Sequence, residues 1–137
     1  MDSEALKIAQ LYFQLSNKSD FDGIEKLFTE KTTYSSQNTG IYLGNSDIIA
    51  MQRQFHGKFS TLKWHVNSVE EVKPGVILFD FDFAGEMPDG EKIKTSGLEY
   101  VIVYQGKIQH IEIRNKPSWP TLICSVFSLI KMVILVT

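Results

Sequence analysis

The stretch from Val76 to Tyr104, VILFDFDFAGEMPDGEKIKTSGLEYVIVY, constrains the fold more than any other part of the chain. In its first half Phe79, Phe81 and Phe83 alternate with Asp80 and Asp82, the period-two pattern of a strand with one buried face. Met87-Pro88-Asp89-Gly90 follows, with Pro pre-set for a type I turn, then Asp, then a Gly able to adopt positive φ. That is the chemistry of a three-residue hairpin loop closed by a Gly bulge, and it pairs Met87 with Glu91. The register then sets Glu86 opposite Lys92, Phe83 opposite Thr95, Phe81 opposite Gly97 and Phe79 opposite Glu99. Cross-strand partners share a face, so Glu99 is expected among three Phe rings. A carboxyl group in that setting is the first place to look for chemistry.

The elements before the hairpin are helical. Ala5, Ile8, Leu11, Tyr12 and Leu15 form one helical face over residues 3–17, with Asp2 or Ser3 able to cap it. Ser19-Asp20 caps a short second helix with Phe21, Ile24, Leu27 and Phe28 inward. Thr32 to Gln37 reads as a short strand around Tyr34, and Asn38-Thr39-Gly40 as a loop. A third helix starts near Asn45-Ser46-Asp47, carries Ile48, Met51, Gln52 and Phe55 at helical spacing, and stops at Gly57. His56, in its last turn, would favour the helix dipole as a cation. Strands at residues 61–72, in the hairpin and at 107–115 complete the order α-α-β-α-β-β-β-β. The pattern predicts an α+β domain, with helices on one face of a curved antiparallel sheet.

Composition limits the rest. A chain of 137 residues, 43% hydrophobic and with a formal charge of −2, fits one domain and argues against nucleic acid or anionic membrane as the main partner. The single cysteine, Cys124, excludes an internal disulfide and a Cys-based zinc site. The start MDSEALKIAQ lacks the basic and apolar regions of a secretory signal, so a cytoplasmic setting is expected. A domain over residues 1–116 is followed by an apolar tail, 117–137, in which about 15 residues from Leu122 onward are too few to span a bilayer. That tail is expected on the sheet or in a dimer interface. The second face of the LEYVIVY strand, with Leu98, Tyr100, Ile102 and Tyr104, needs a cover that the helices cannot supply. A homodimer through the back of the sheet is the expected answer, and the tail is its competitor.

The phrases IAQLYFQLSNKSDFDGIEKLF, GIYLGNSDIIAMQRQF and MPDGEKIKTSGLEYVIVYQGKIQHIEI add a resemblance. From about Ala5 to Lys116 the chain resembles the nuclear-transport-factor-2-like superfamily, in its SnoaL-like and ketosteroid-isomerase-like branch. The resemblance implies a cone-shaped, cystatin-like α+β barrel whose curved sheet wraps around the helices and encloses a pocket, often in a dimer. Such folds host isomerases, cyclases, hydrolases and non-catalytic binders. Ketosteroid isomerase employs a base Asp with a Tyr and a protonated Asp as oxyanion donors. On this chain the Tyr falls on Tyr12 and the protonated acid on Glu99. The base falls on or beside Ser36, where there is no carboxylate, which argues against steroid isomerisation.

The candidate catalytic residues are therefore Glu99, Tyr12 and His65. His65 enters the pocket if Lys63, His65 and Asn67 face inward, and leaves it if Trp64 and Val66 do. The candidate ligand-binding residues are Phe79, Phe81, Phe83, Ser36, Gly97 and Ile111. Gly97, opposite Phe81, leaves room either for a ligand or for the ring to fold over it. Ile111 faces inward if Tyr104-Gln105-Gly106 forms a three-residue loop, whereas a two-residue Gln105-Gly106 turn brings His110 and Glu112 inward. Asp80 and Asp82 share a face, but no further ligands join them and no metal site is expected. The expectation is a pocket for a compact, mostly apolar ligand, working without a cofactor and by general acid–base chemistry if it is an enzyme. The alternative is a dimeric scaffold domain whose rings fill their own cavity.

Overall fold

The computed structural model describes residues 2–116. The apolar tail expected on the sheet or at a dimer contact lies outside the described residues. Helix α1 (Glu4–Asn17) starts where the Ser3 hydroxyl accepts a hydrogen bond from Leu6 N at 3.0 Å. Asp20 does the same for Gly23 N at the start of α2 (Phe21–Glu25), also at 3.0 Å. Strands β1 (Thr33–Ser36) and β2 (Gly40–Leu43) form a small hairpin before α3 (Asn45–His56). Asp47 reaches back from the first turn of α3 to accept from Leu43 N at 3.0 Å, tying that helix to β2. Then come β3 (Thr61–Lys73), β4 (Val76–Glu86), β5 (Lys92–Tyr104) and β6 (Lys107–Asn115).

These six strands make one curved, unclosed sheet in the order β2-β1-β6-β5-β4-β3. Two features depart from the sequence reading. The loop at Asn38-Thr39-Gly40 is the turn of a hairpin whose second strand, β2, was not expected. The sheet is also not wholly antiparallel, because β1 runs parallel to β6, with Tyr34 beside Ile111 and Ser36 beside Ile113. The α+β class and the wrapping of the sheet around the N-terminal helices stand.

The β4–β5 hairpin has the register that its turn chemistry requires. Met87 N donates to Glu91 O at 2.8 Å, Gly90 N donates to Met87 O at 2.9 Å, and Gly90 has φ 92°. Phe79 then faces Glu99, Phe81 faces Gly97 and Phe83 faces Thr95. On the next connection both alternatives prove half right. Gln105 and Gly106 form a two-residue turn with φ 51° and 75°, yet Ile111 and Ile113 face inward. The pairing steps from Val103 opposite Ile108 to Ile102 opposite His110, so Gln109 is an extra residue that restores the parity. A similar irregularity at Asn67 lets Trp64, Val66 and Val69 all face the helices.

The core lies between the inner sheet face and the helices. Ile77, Phe79, Val101, Ile108 and Ile111 pack against Ala9 and Phe13 of α1, with Ile24, Phe28 and Ile48 closing the sides. The Phe13 and Phe79 rings lie 4.2 Å apart between centroids. Among the described residues no helix is long and apolar enough to cross a membrane.

Gly97 resolves in favour of the ring. A Cβ there would sit 2.7 Å from Phe81 Cζ and 3.0 Å from the Arg114 carbonyl oxygen, so Phe81 occupies the space that a side chain would take. Gly97→Ala is therefore expected to destabilise the fold by about 1–3 kcal/mol, the usual range for overpacking a closed core. Urea denaturation checks this; an unchanged or raised midpoint would show that Phe81 does not cover the glycine.

Candidate functional site

A cavity of about 60 Å³ opens between α1, α3 and the inner face of the sheet. Helix α1 presents Tyr12 and Phe13, α3 presents Gln52, Phe55 and His56, and β1 presents Tyr34 and Ser36. From the long strands come Trp64, Phe81, Phe83 and Glu99, while Asn38, Thr39 and Thr95 stand at its edge. Each inward position follows from the strand period, since Phe81, Phe83 and Glu99 share the face that the hairpin register turns toward the helices.

Glu99 is the unusual group. Its residue is 3% exposed, and its Oε2 is buried without a hydrogen-bond partner among the described residues. Burial pushes its carboxyl up from the ordinary 4.5 to about 8, because a carboxylate held in an apolar setting loses its hydration. Near neutral pH the group is therefore mostly protonated. Tyr12 and Tyr34 are raised well above their ordinary range, first by burial and then by the acidic groups they share the site with, Glu99 among them.

The Tyr12 hydroxyl is held by Gln52, whose Nε2 donates to it at 2.8 Å. That bond leaves Gln52 Oε1 buried and unpartnered, as is Thr39 Oγ1 at the cavity's edge. Buried polar atoms ordinarily find partners in the protein or in ordered water, and three without a partner among the described residues, Glu99 Oε2, Gln52 Oε1 and Thr39 Oγ1, belong to residues around this cavity. His56 is neutral rather than a dipole-favoured cation: burial pulls it down to about 4, and its Nδ1 lies 2.8 Å from the Ser19 hydroxyl.

The site residues expected from the sequence divide in three. Tyr12, Glu99, Ser36, Phe81 and Phe83 are brought together around the cavity. Phe79 and Ile111 are buried in the core behind its wall, and Gly97 is capped by the Phe81 ring, so these three do not line it. His65 is the clear correction. It is exposed on the outer face of β3, opposite Asp82, because Trp64 and Val66 take the inward positions on either side of it. Also on the outer face, His110 and Glu112 pair at 2.9 Å, and Asp80 and Asp82 are held by Lys116, Asn67 and Ser96. Among the described residues no cluster of His, Cys, Asp and Glu suits a metal ion.

Sequence reasoning missed Gln52, Tyr34, Trp64 and His56 as members of the site. For Gln52 the signal was available, since an amide on an otherwise apolar helical stripe needs a buried partner.

No family model matches the chain, and no curated protein matches it by sequence. Its fold does match solved structures. A Shewanella putrefaciens protein assigned as a SnoaL-like polyketide cyclase superposes with a TM-score of 0.76 at 7% identity, over 84% of this chain and 91% of that one. An Exiguobacterium nuclear-transport-factor-2-like protein of unknown function gives 0.71 at 18% identity, over 81% and 99%. An epoxide hydrolase of the LEH-like type from M. tuberculosis gives 0.72 at 12% identity, over 82% and 83%. At these identities the likeness is one of fold: this is the nuclear-transport-factor-2-like fold in the form shared by SnoaL-like and ketosteroid-isomerase-like proteins.

The raised Glu99 carboxyl has a consequence for stability. Between pH 4.5 and about 8 the unfolded chain is ionised at Glu99 while the folded chain keeps its proton, so stability falls as pH rises through that window. The loss is at most about 1.4 kcal/mol per pH unit. Glu99→Gln is expected to gain on the wild type progressively from pH 5 to pH 8 in urea denaturation. Taking the difference between the two proteins cancels the opposite contribution of His56. Parallel pH profiles would mean that Glu99 is ionised in the fold.

Proposed function

We propose that this chain is a small-molecule pocket protein whose ligand is compact and mostly apolar, with one polar end held against Glu99, Tyr12 and Gln52. The observation that carries this reading is the buried, unpartnered Oε2 of Glu99 on the cavity wall beside the bonded Tyr12–Gln52 pair. A buried carboxyl with no internal partner destabilises a fold, and its presence is accounted for by a ligand that satisfies it. The cavity is small, about 60 Å³, so the ligand is small too. The chemistry open to such a site is proton transfer without a cofactor: Glu99 gives or takes a proton while the Tyr12 hydroxyl steadies a polar atom of the ligand. Steroid isomerisation does not fit. The resemblance puts its base on or beside Ser36, where there is no carboxylate, and the Ser36 hydroxyl accepts from Asn38 N at 3.1 Å.

A second reading, a scaffold domain with a self-filled interior, is favoured by the Phe81 ring folded over Gly97 and by the small size of the cavity. Thermal-shift measurements with small ketones, epoxides, amines and carboxylic acids separate the two. A ligand present at 100 times its Kd is expected to add about 2.7 kcal/mol of stability, several degrees for a domain this small. The gain should shrink in Tyr12→Phe and vanish in Glu99→Gln. No shift from any compound, or equal shifts in all three proteins, would favour the scaffold.

We also propose that two copies associate through the outer face of the sheet, where Tyr100 is 39% and Tyr104 is 65% exposed. Light scattering on the full chain is expected to give the mass of a dimer, and Tyr100→Glu with Tyr104→Lys that of a monomer. A monomeric wild type would contradict this.

A further inference from the structure

We propose that the ligand of this cavity is a small protonated alkylamine, its ammonium group between Glu99 and Gln52 and its alkyl end against the aromatic walls. This rests on the reading of the cavity as a small-molecule pocket and adds the chemical class.

Gln52 uses its Nε2 on the Tyr12 hydroxyl, so its buried Oε1 can only accept. Glu99 Oε2 is the second unpartnered atom, and no hydrogen bond joins the two residues. A ketone, an ether or an epoxide carries acceptors alone and leaves Gln52 Oε1 unsatisfied. An alcohol has one donor to offer. An ammonium has up to three, directed at separate acceptors, and it brings the charge that a carboxylate pairs with.

The walls point the same way. Among the described residues no Lys or Arg lines the cavity, so none of them supplies a counter-charge to a Glu99 carboxylate there. Trp64, Phe55, Phe81 and Phe83 supply ring surfaces, and a cation is attracted to the face of such rings, that of Trp most of all. The small cavity fits a short alkyl chain with one polar group.

Binding of a cation has a pH signature. Among the described residues the titratable groups that share the cavity with Glu99 are Tyr12 from α1, Tyr34 from β1 and His56 from α3, while β3, β4 and β6 present Trp64, the Phe rings and Ile113. Both tyrosines stay protonated at neutral pH, and His56, pulled down to about 4, stays neutral. Glu99 is thus the group that titrates, and without ligand it does so at about 8. An ammonium favours its ionised form, so below that pH binding releases a proton into solution. Affinity then rises about tenfold per pH unit and levels off above pH 8. A neutral acceptor such as a ketone takes a hydrogen bond from the protonated carboxyl, and its affinity runs the opposite way.

Isopropylammonium, isopropanol and acetone share one frame of four heavy atoms and differ only in the polar group. Titration calorimetry of each against the full chain at pH 6, 7, 8 and 9, in buffers of different ionisation enthalpy, is the test. Isopropylammonium should bind at least tenfold tighter than the other two at pH 8. It should gain about tenfold per unit between pH 6 and 8 and release up to one proton. Glu99→Gln should abolish both the slope and the proton release; the wild-type slope carries the test if that variant fails to fold. Tighter binding of acetone or isopropanol, or an amine affinity flat or falling with pH, would overturn the amine class while leaving the pocket in place. Binding of none of the three would overturn the pocket as well.

Discussion

The structure depends on the turn at Met87–Glu91. A Pro-Asp-Gly loop with Gly90 at positive φ permits one pairing of the strands it joins, and a slip by one residue would turn every side chain to the other face. With that register Phe79, Phe81 and Phe83 form the inner face of β4, and Glu99 on β5 has no choice but to join them. The carboxyl is buried because the strand that bears it is committed to the core at Val101, Val103 and Gly97 on either side. Its environment is imposed by the turn and by the strand period.

The helices then decide what that carboxyl meets. Helices α1 and α3 close over the sheet and are joined by the hydrogen bond between Gln52 and Tyr12, so the polar part of the cavity roof is a bonded pair with an acceptor left over. None of the groups around Glu99 answers it. Tyr12, Tyr34 and His56 are all neutral near pH 7, so among the described residues around Glu99 nothing offsets the burial that disfavours its charge. A small space, an unpartnered acid and aromatic walls are the observations on which the proposed binding site rests.

The sequence was most legible where local chemistry is stringent. The hairpin register, the Ser3 and Asp20 caps and the inward Phe ladder follow from turn geometry, capping preference and period two. Strand β2 was not legible, because Gly40–Leu43 is a short edge strand with largely exposed side chains and carries no burial pattern. The facing of β3 and of Ile111 was undecidable, because the bulges at Asn67 and Gln109 each add a residue that simple alternation cannot count. His65 was lost from the site for that reason. Glu99 was legible as an anomaly and Tyr12 through family likeness, while Gln52 and Tyr34 joined the site through contacts between distant segments that local patterns do not encode.

The central claim is that Glu99 is a buried, unpartnered acid protonated near neutral pH. Carbon-13 NMR titration of its side-chain carboxyl, assigned by loss of the signal in Glu99→Gln, tests this directly. A midpoint near 8 is the expected result. A midpoint near 4.5, the ordinary value for an exposed glutamate, would show that the carboxyl is solvated or paired and would contradict the account.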